Sequence, residues 1–200
     1  MKKAEEMKER IIRSTIELIE QGSGDIGEIT TRMIAEKTGI GISLIHYHFQ
    51  TKERLVELCV QRIITGVIEN FRPSVAAADS PLVRITAVAR QVADFLAANP
   101  AISRISILGD LTQPALQDNT ALTMAGFSAA WQGGKSSSGN PAALNVKTAV
   151  FALTALIQSA FLRKEQSREL FGYDMENKEE RDRFIGWMAE RLFRSDVHES

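Results

Sequence analysis

Apolar residues recur every three to four positions along almost the whole chain, and no stretch alternates with a period of two. That pattern predicts an all-α protein. A first helix over residues 3–21 carries Ile11, Ile12, Thr15, Leu18 and Ile19 on one face, and Gly22-Ser23-Gly24 stops it. Two short helices follow at 31–38 and 42–49. A long one at 52–71 is capped by Thr51, has Glu53 in its first turn where a carboxylate suits the helix dipole, and is ended by Pro73. Its apolar residues lie on more than one face, which suits it to joining the N-terminal helices to the second half of the chain. Five further helices are predicted at 81–98, 101–111, 114–131, 141–164 and 178–194, broken by Asn99-Pro100, by Gln113-Pro114 and by a polar loop over 132–140. The helix at 141–164 is apolar nearly all round, so it should be buried on more than one side. The last helix sets Phe184, Trp187, Met188, Arg191 and Leu192 at helical spacing. One domain covers one face of each helix. The surplus predicts a homodimer in which the last two helices of each copy form a four-helix bundle, with Phe184, Trp187 and Arg191 at the interface.

The segment 31–49 has a finer pattern. With Thr31 as position one, Ile34 and Ala35 are fourth and fifth, Gly39 ninth, Ile40 tenth and Ile45 fifteenth. Two helices crossing steeply need a small residue where they touch, and Ala35 supplies it. The short turn needs a positive φ, which Gly39 adopts without a Cβ clash. Ile34, Ile40 and Ile45 then bury together beneath the crossing. This is a helix-turn-helix, and it leaves the outer face of its second helix available to a DNA major groove.

The wider run reads Thr-Thr-Arg-x-Ile-Ala-x-x-x-Gly from Thr30, Ile-His-Tyr-His-Phe from Ile45, and Thr-Lys-Glu-x-Leu from Thr51. Over residues 10–60 it resembles the TetR (tetracycline-repressor-like) family of transcriptional regulators. The rest is similar to that family in length and helical layout. The resemblance implies an N-terminal three-helix helix-turn-helix domain, 1–52, joined by a long helix to a helical-bundle ligand-binding and dimerisation domain, 53–200. It also implies DNA contacts by position. Arg32 reaches a guanine or the backbone, and Thr31 caps the second helix and donates to a phosphate. Ile42, Ser43 and Leu44 meet base edges, while Tyr47, His48 and Lys52 meet phosphates. Two positions depart from the family pattern. His46 stands where an aromatic is usual, and is expected to pack against the first or second helix. Gly41 stands where Ser is frequent, so the recognition helix lacks a side-chain cap.

Composition narrows the alternatives. The 200 residues are 44% hydrophobic, enough for a sizeable core, and carry a net charge of −1. Residues 1–54 hold nine Lys/Arg and nine Asp/Glu, so DNA affinity must come from the placement of a few cations rather than from a basic field. Cys59 is the single cysteine, which excludes an intrachain disulfide, and its apolar neighbours in sequence point to packing rather than redox chemistry. The charged N-terminus does not read as a signal peptide. The uncharged stretch 148–162 falls short of the roughly 20 residues a membrane span needs. His46 and His48 sit about 200° apart on a helix and cannot share one metal. Gly133-Gly134-Lys135-Ser136 lacks the spacing of a phosphate loop. No catalytic constellation, cofactor site or metal site is evident.

An effector site is faintly marked. Phe95, Phe127, Trp131, Phe151 and Phe161 supply aromatic lining. Thr154 and Gln158 share a face of an otherwise apolar helix, where they either orient a ligand or bond within the bundle or across the dimer; Asp110 has similar standing. Together these readings predict a cytoplasmic, homodimeric TetR-like regulator, without enzymatic activity, that binds a palindromic double-stranded DNA operator. It is expected to repress, and to be released by a small molecule that shifts the long helix. The alternative is a ligand-binding or interaction protein of the same fold without specific operator binding, supported by the neutral charge and by Gly41.

Overall fold

The structure, a computed structural model, describes residues 2–69, 80–132 and 141–193. The helix end expected at Phe71 and Pro73 and most of the 132–140 loop lie outside them. The described residues form ten α-helices and one 3-10 turn, with no strand among them. In chain order these are α1 (Lys2–Gln21), the 3-10 turn (Ile26–Glu28), α2 (Thr31–Thr38), α3 (Ile42–Phe49), α4 (Lys52–Glu69), α5 (Pro81–Ala98), α6 (Pro100–Thr112), α7 (Asn119–Gln132), α8 (Pro141–Leu162), α9 (Lys164–Phe171) and α10 (Lys178–Phe193). They group into two compact units: Met1–Phe71 with Asn99–Pro114, and Arg72–Ala98 with Ala115–Ser200.

The first unit is α1–α4 plus α6. Its core joins Ile11, Ile12 and Ile19 of α1 to Ile34, Ile45, Phe49, Leu55, Val56, Cys59, Ile102 and Ile105. The buried hydroxyls of Thr15 and Thr38 donate to the carbonyls of Ile11 and Ile34, so neither leaves an unmet polar group in the core. The compact unit therefore runs past residue 52, because Leu55, Val56, Cys59 and Val60 of α4 are buried in the same cluster as α1. α6 joins this unit as well, although its sequence reads as part of the second half. Gly24, at φ +84°, lets the loop after α1 approach it: a Cβ there would stand 3.0 Å from Ala101 Cα and O and from Arg104 Cβ.

The second unit packs α5 against α7 and α10, with α8 also against α7 and α10. Ile85, Val88, Ala93, Phe127, Leu153, Ile157, Ile185, Met188 and Phe193 are buried there. Arg84 donates to the carbonyls of Ala130 and Trp131 at 2.8 and 3.0 Å, satisfying the C-terminal end of α7. Buried Arg181 donates to the carbonyl of Met175 at 2.7 Å and to Asp94 at 2.6 Å, pinning the loop before α10 to α5. Lys178 reaches the other Asp94 oxygen at 2.6 Å.

Three expectations are corrected. α7 begins at Asn119, not at 114, because Asp118 accepts from the Ala121 and Ala115 amides and makes 114–118 a turn. The helix expected over 141–164 stops at Leu162, and a separate helix, Lys164–Phe171, follows; Gly172 ends it at φ +72°, its amide on the Arg168 carbonyl. Finally, Asn145–Leu162 is by length and composition long and apolar enough to cross a bilayer, since Lys147 does not interrupt the helix. Its Ala149, Val150, Leu153, Ile157 and Ala160 are instead buried in the bundle.

Candidate nucleic-acid interface

The helix-turn-helix is built by local backbone chemistry. Gly39 is left-handed at φ +71°; its amide bonds to the Glu36 carbonyl at 3.2 Å and that of Ile40 to the Ala35 carbonyl at 3.0 Å. This paired arrangement closes α2 and turns the chain sharply into α3. Ile34, Ala35 and Ile45 are buried under the crossing. The cap of α2 is Thr30, whose Oγ1 accepts from the Met33 amide at 3.2 Å, not Thr31 as expected. A cap must sit in extended backbone just outside the helix, and Thr30 holds that place while Thr31 is already the first helical residue.

α3 has two sides. Ile45 and Phe49, four apart, are buried. Ile42, Ser43, His46 and Tyr47 are exposed, Tyr47 by 80%, and form a continuous outward face. Leu44 and His48 are half-buried, and the His48 ring lies edge-on to Tyr47 at 5.1 Å. Gly41 precedes the helix without a side-chain cap. His46 does not pack inward against α1 or α2. Four residues after Ile42 it falls on the outward face, with its Nδ1 3.0 Å from the Gln50 carbonyl oxygen. Sequence reasoning passed over Gln50 entirely. It is the one non-glycine residue with positive φ among those described, at 67°.

The cations are few and engaged. Arg32 is largely solvated, and its Nε donates to Glu36 at 2.8 Å, a bond that raises its pKa. Exposed pairs at this spacing are weak, so the guanidinium remains available to a nucleic acid. Lys52 is half-buried. Its Nζ donates to the Ile26 carbonyl at 2.8 Å and lies 3.6 Å from Glu53, which ties the start of α4 to the 3-10 turn.

In the second unit, Thr154 is buried and donates to the Val150 carbonyl at 2.9 Å, while Gln158 Nε2 donates to Thr120 Oγ1 at 2.8 Å. Both therefore have partners within the bundle. Phe127 is buried, Phe95 and Phe161 are half-buried, and Trp131 packs on Phe193 at 4.8 Å between ring centroids. Phe151 is 62% exposed and does not line an interior, because it lies on the face of α8 opposite Leu153 and Ile157. Gln91 of α5, unnoticed in sequence, has a buried Oε1 with no hydrogen-bond partner among the described residues. On α10, Trp187 is 53% exposed with the Arg191 guanidinium 5.7 Å from its ring centre, and Phe184 is half-buried against Tyr173 at 5.0 Å. Among the described residues no cluster of His, Cys, Asp and Glu could hold a metal ion.

Comparison with known proteins agrees with this geometry. Residues 11–59 match the model of the bacterial regulatory proteins of the tetR family. No curated protein is matched by sequence. A tetR-family transcriptional regulator from Streptomyces coelicolor is similar in structure at a TM-score of 0.64 and 17% identity, over 94% of this chain and 79% of that one. A TetR transcriptional regulator from Rhodococcus sp. RHA1 matches at 0.61 and 16% identity, over 100% of both chains. The transcriptional regulator FadR from Bacillus subtilis, in complex with stearoyl-CoA, matches at 0.53 and 15% identity, over 94% of this chain and 98% of that one. Residues 11–59 thus carry the helix-turn-helix domain described by the tetR-family model, and the chain as a whole is similar in fold to solved regulators of that family.

Proposed function

We propose that this chain is a cytoplasmic repressor that binds a palindromic operator as a homodimer and leaves it when a small molecule binds the second unit. The observation that carries the reading is the outward face of α3. A surface of Ile42, Ser43 and Tyr47, opposite buried Ile45 and Phe49, has the chemistry of a helix seated in a major groove. Ser43 hydrogen-bonds to base edges, Ile42 and Leu44 touch thymine methyls, Arg32 reaches guanine or phosphate, and Thr31, Tyr47, His48 and Lys52 hold phosphates. A homodimer gives the two-fold symmetry a palindrome needs. It is supported by exposed Phe151 and Leu156 on α8 and Trp187 on α10, apolar surface that a second copy covers, with Arg191 beside Trp187. The effector is mostly apolar with one or two polar groups. The unmet Gln91 acceptor, Gln158 and Thr154 give it polar contacts in a largely apolar unit. Of the stearoyl-CoA held by FadR only the stearoyl chain is of that kind, because its coenzyme A part is polar and multiply charged.

The test is selection of binding sites from random DNA with purified protein. The expected result is an inverted repeat with half-sites about one helical turn, 34–36 Å, apart. Enrichment of no sequence at all would overturn the reading. Sedimentation equilibrium at micromolar concentration should give twice the 22.1 kDa monomer mass. Trp187→Glu should shift it toward the monomer without loss of helicity, and an unchanged dimer would remove this face from the interface.

A further inference from the structure

The recognition helix ends in a strained turn. Gln50 has φ 67° and ψ −59°, and the Thr51 amide donates to the Phe49 carbonyl at 2.8 Å. Those values define a γ-turn of the positive-φ form, which is rare and costly for a residue with a Cβ. Glycine would adopt it freely, yet this chain has glutamine there. Something must hold the turn. The Gln50 amide donates to the His46 carbonyl at 2.9 Å, and the Gln50 carbonyl faces His46 Nδ1 at 3.0 Å. His46 thus grips the residue from both sides, through its backbone and its ring.

The consequence falls on α3. It is eight residues long, has no side-chain cap at Gly41, and is anchored in the core by only Ile45 and Phe49. Its C-terminal turn runs directly into Thr51, whose Oγ1 accepts from the Arg54 amide at the start of α4. The conformation of Gln50 therefore sets the angle between the recognition helix and α4. Relaxation to an ordinary negative φ would rotate one against the other.

We propose that His46 is a positioning residue for DNA recognition, acting through the Gln50 turn: its Nδ1–H clamps the Gln50 carbonyl and holds α3 in the orientation that reads DNA. A carbonyl oxygen only accepts, so Nδ1 carries the proton. This fixes the Nδ1–H tautomer in the neutral ring, whereas a freely solvated histidine favours Nε2–H. The imidazolium keeps the same donor, so the clamp does not depend on ring protonation. The proposal rests on the operator-binding reading.

Nitrogen NMR of the parent protein above the pH at which the ring is neutral should show His46 as the Nδ1–H tautomer. A predominant Nε2–H form would overturn the proposal without any substitution. In DNA binding to the selected operator, His46→Ala should weaken affinity about tenfold, as expected if the binding geometry falls to about a tenth of the population. Gln50→Gly alone should bind like the parent. The double variant should recover most of the loss, because glycine takes the positive φ without the steric cost that the clamp offsets. Equal losses from His46→Ala in both backgrounds would mean that His46 touches DNA directly, and would overturn the proposal, as would no loss at all. His46→Phe, which keeps ring bulk but lacks the donor, repeats the test should His46→Ala fold poorly. A parent protein that binds no DNA sequence removes the operator reading and this proposal with it. Operator binding together with the wrong tautomer or no rescue removes this proposal alone.

Discussion

Replacing Gly24 with alanine should be among the most destabilising single-methyl changes this chain can suffer, and the glycines themselves supply the controls. Gly24 has φ +84°, a conformation that costs an L-residue roughly 1–2 kcal/mol. Its added Cβ would also stand 3.0 Å from Ala101 Cα, Ala101 O and Arg104 Cβ. Two of these are backbone atoms and none is the end of a flexible side chain, so α6 itself must move; overpacking of that kind costs about 1–3 kcal/mol more. The total is about 2–5 kcal/mol. At about 2–4 °C per kcal/mol for a chain of this size, the melting temperature should fall by roughly 4–20 °C. Gly172 has φ +72° but open space around its Cβ position, so Gly172→Ala should show the conformational cost alone, about 1–2 kcal/mol. Gly126 lies inside α7 with open space and no positive φ, so Gly126→Ala should stabilise by about 0.5–1 kcal/mol. Thermal melts followed by circular dichroism at 222 nm give all three. A Gly24→Ala melt coinciding with that of Gly172→Ala would show that α6 does not press on the loop after α1, and would refute the steric half of the reasoning.

Three further outcomes are expected. Lys52→Met should flatten the dependence of log affinity on log salt by about one unit for each phosphate left without its lysine; if only the tie to the Ile26 carbonyl matters, affinity should fall with the slope unchanged. Burial raises the pKa of the Asp94 carboxyl, but hydrogen bonds from Lys178 and Arg181 outweigh it, and the net shift is downward. The ionised form therefore contributes stability that is present above the ordinary carboxylate pKa and lost as pH falls through the depressed one. Asp94→Asn should cost about 1–3 kcal/mol at neutral pH, with the deficit shrinking only in strong acid; urea denaturation at several pH values checks it. Cys59 is buried, its thiol pKa pushed up to about 12 by desolvation against a smaller opposing pull from Arg62, so a thiol reagent at neutral pH should modify it only as fast as the protein opens; rapid labelling under native conditions would contradict that burial.

The helix-turn-helix was legible in the sequence because its requirements are local. A left-handed residue at 39, a small one at 35 and branched apolar residues at 34 and 45 are fixed by the geometry of one turn between two short helices, and the structure supplies each in its place. The all-α fold was legible for a related reason: helical periodicity reports which face of a segment is buried whatever it is buried against. The partners of those faces were decided only in three dimensions. Gln158 bonds to Thr120, 38 residues away, Lys52 to Ile26, 26 away, and α6 packs with α1 and α4 rather than with its neighbours in sequence. Nothing in a local pattern selects among distant partners of similar chemistry, because that choice comes from packing the whole chain. The same holds for His46. The resemblance put an inward-packing aromatic at its position, and the structure instead sets the ring on the same outward face as Ile42, against the carbonyl of Gln50.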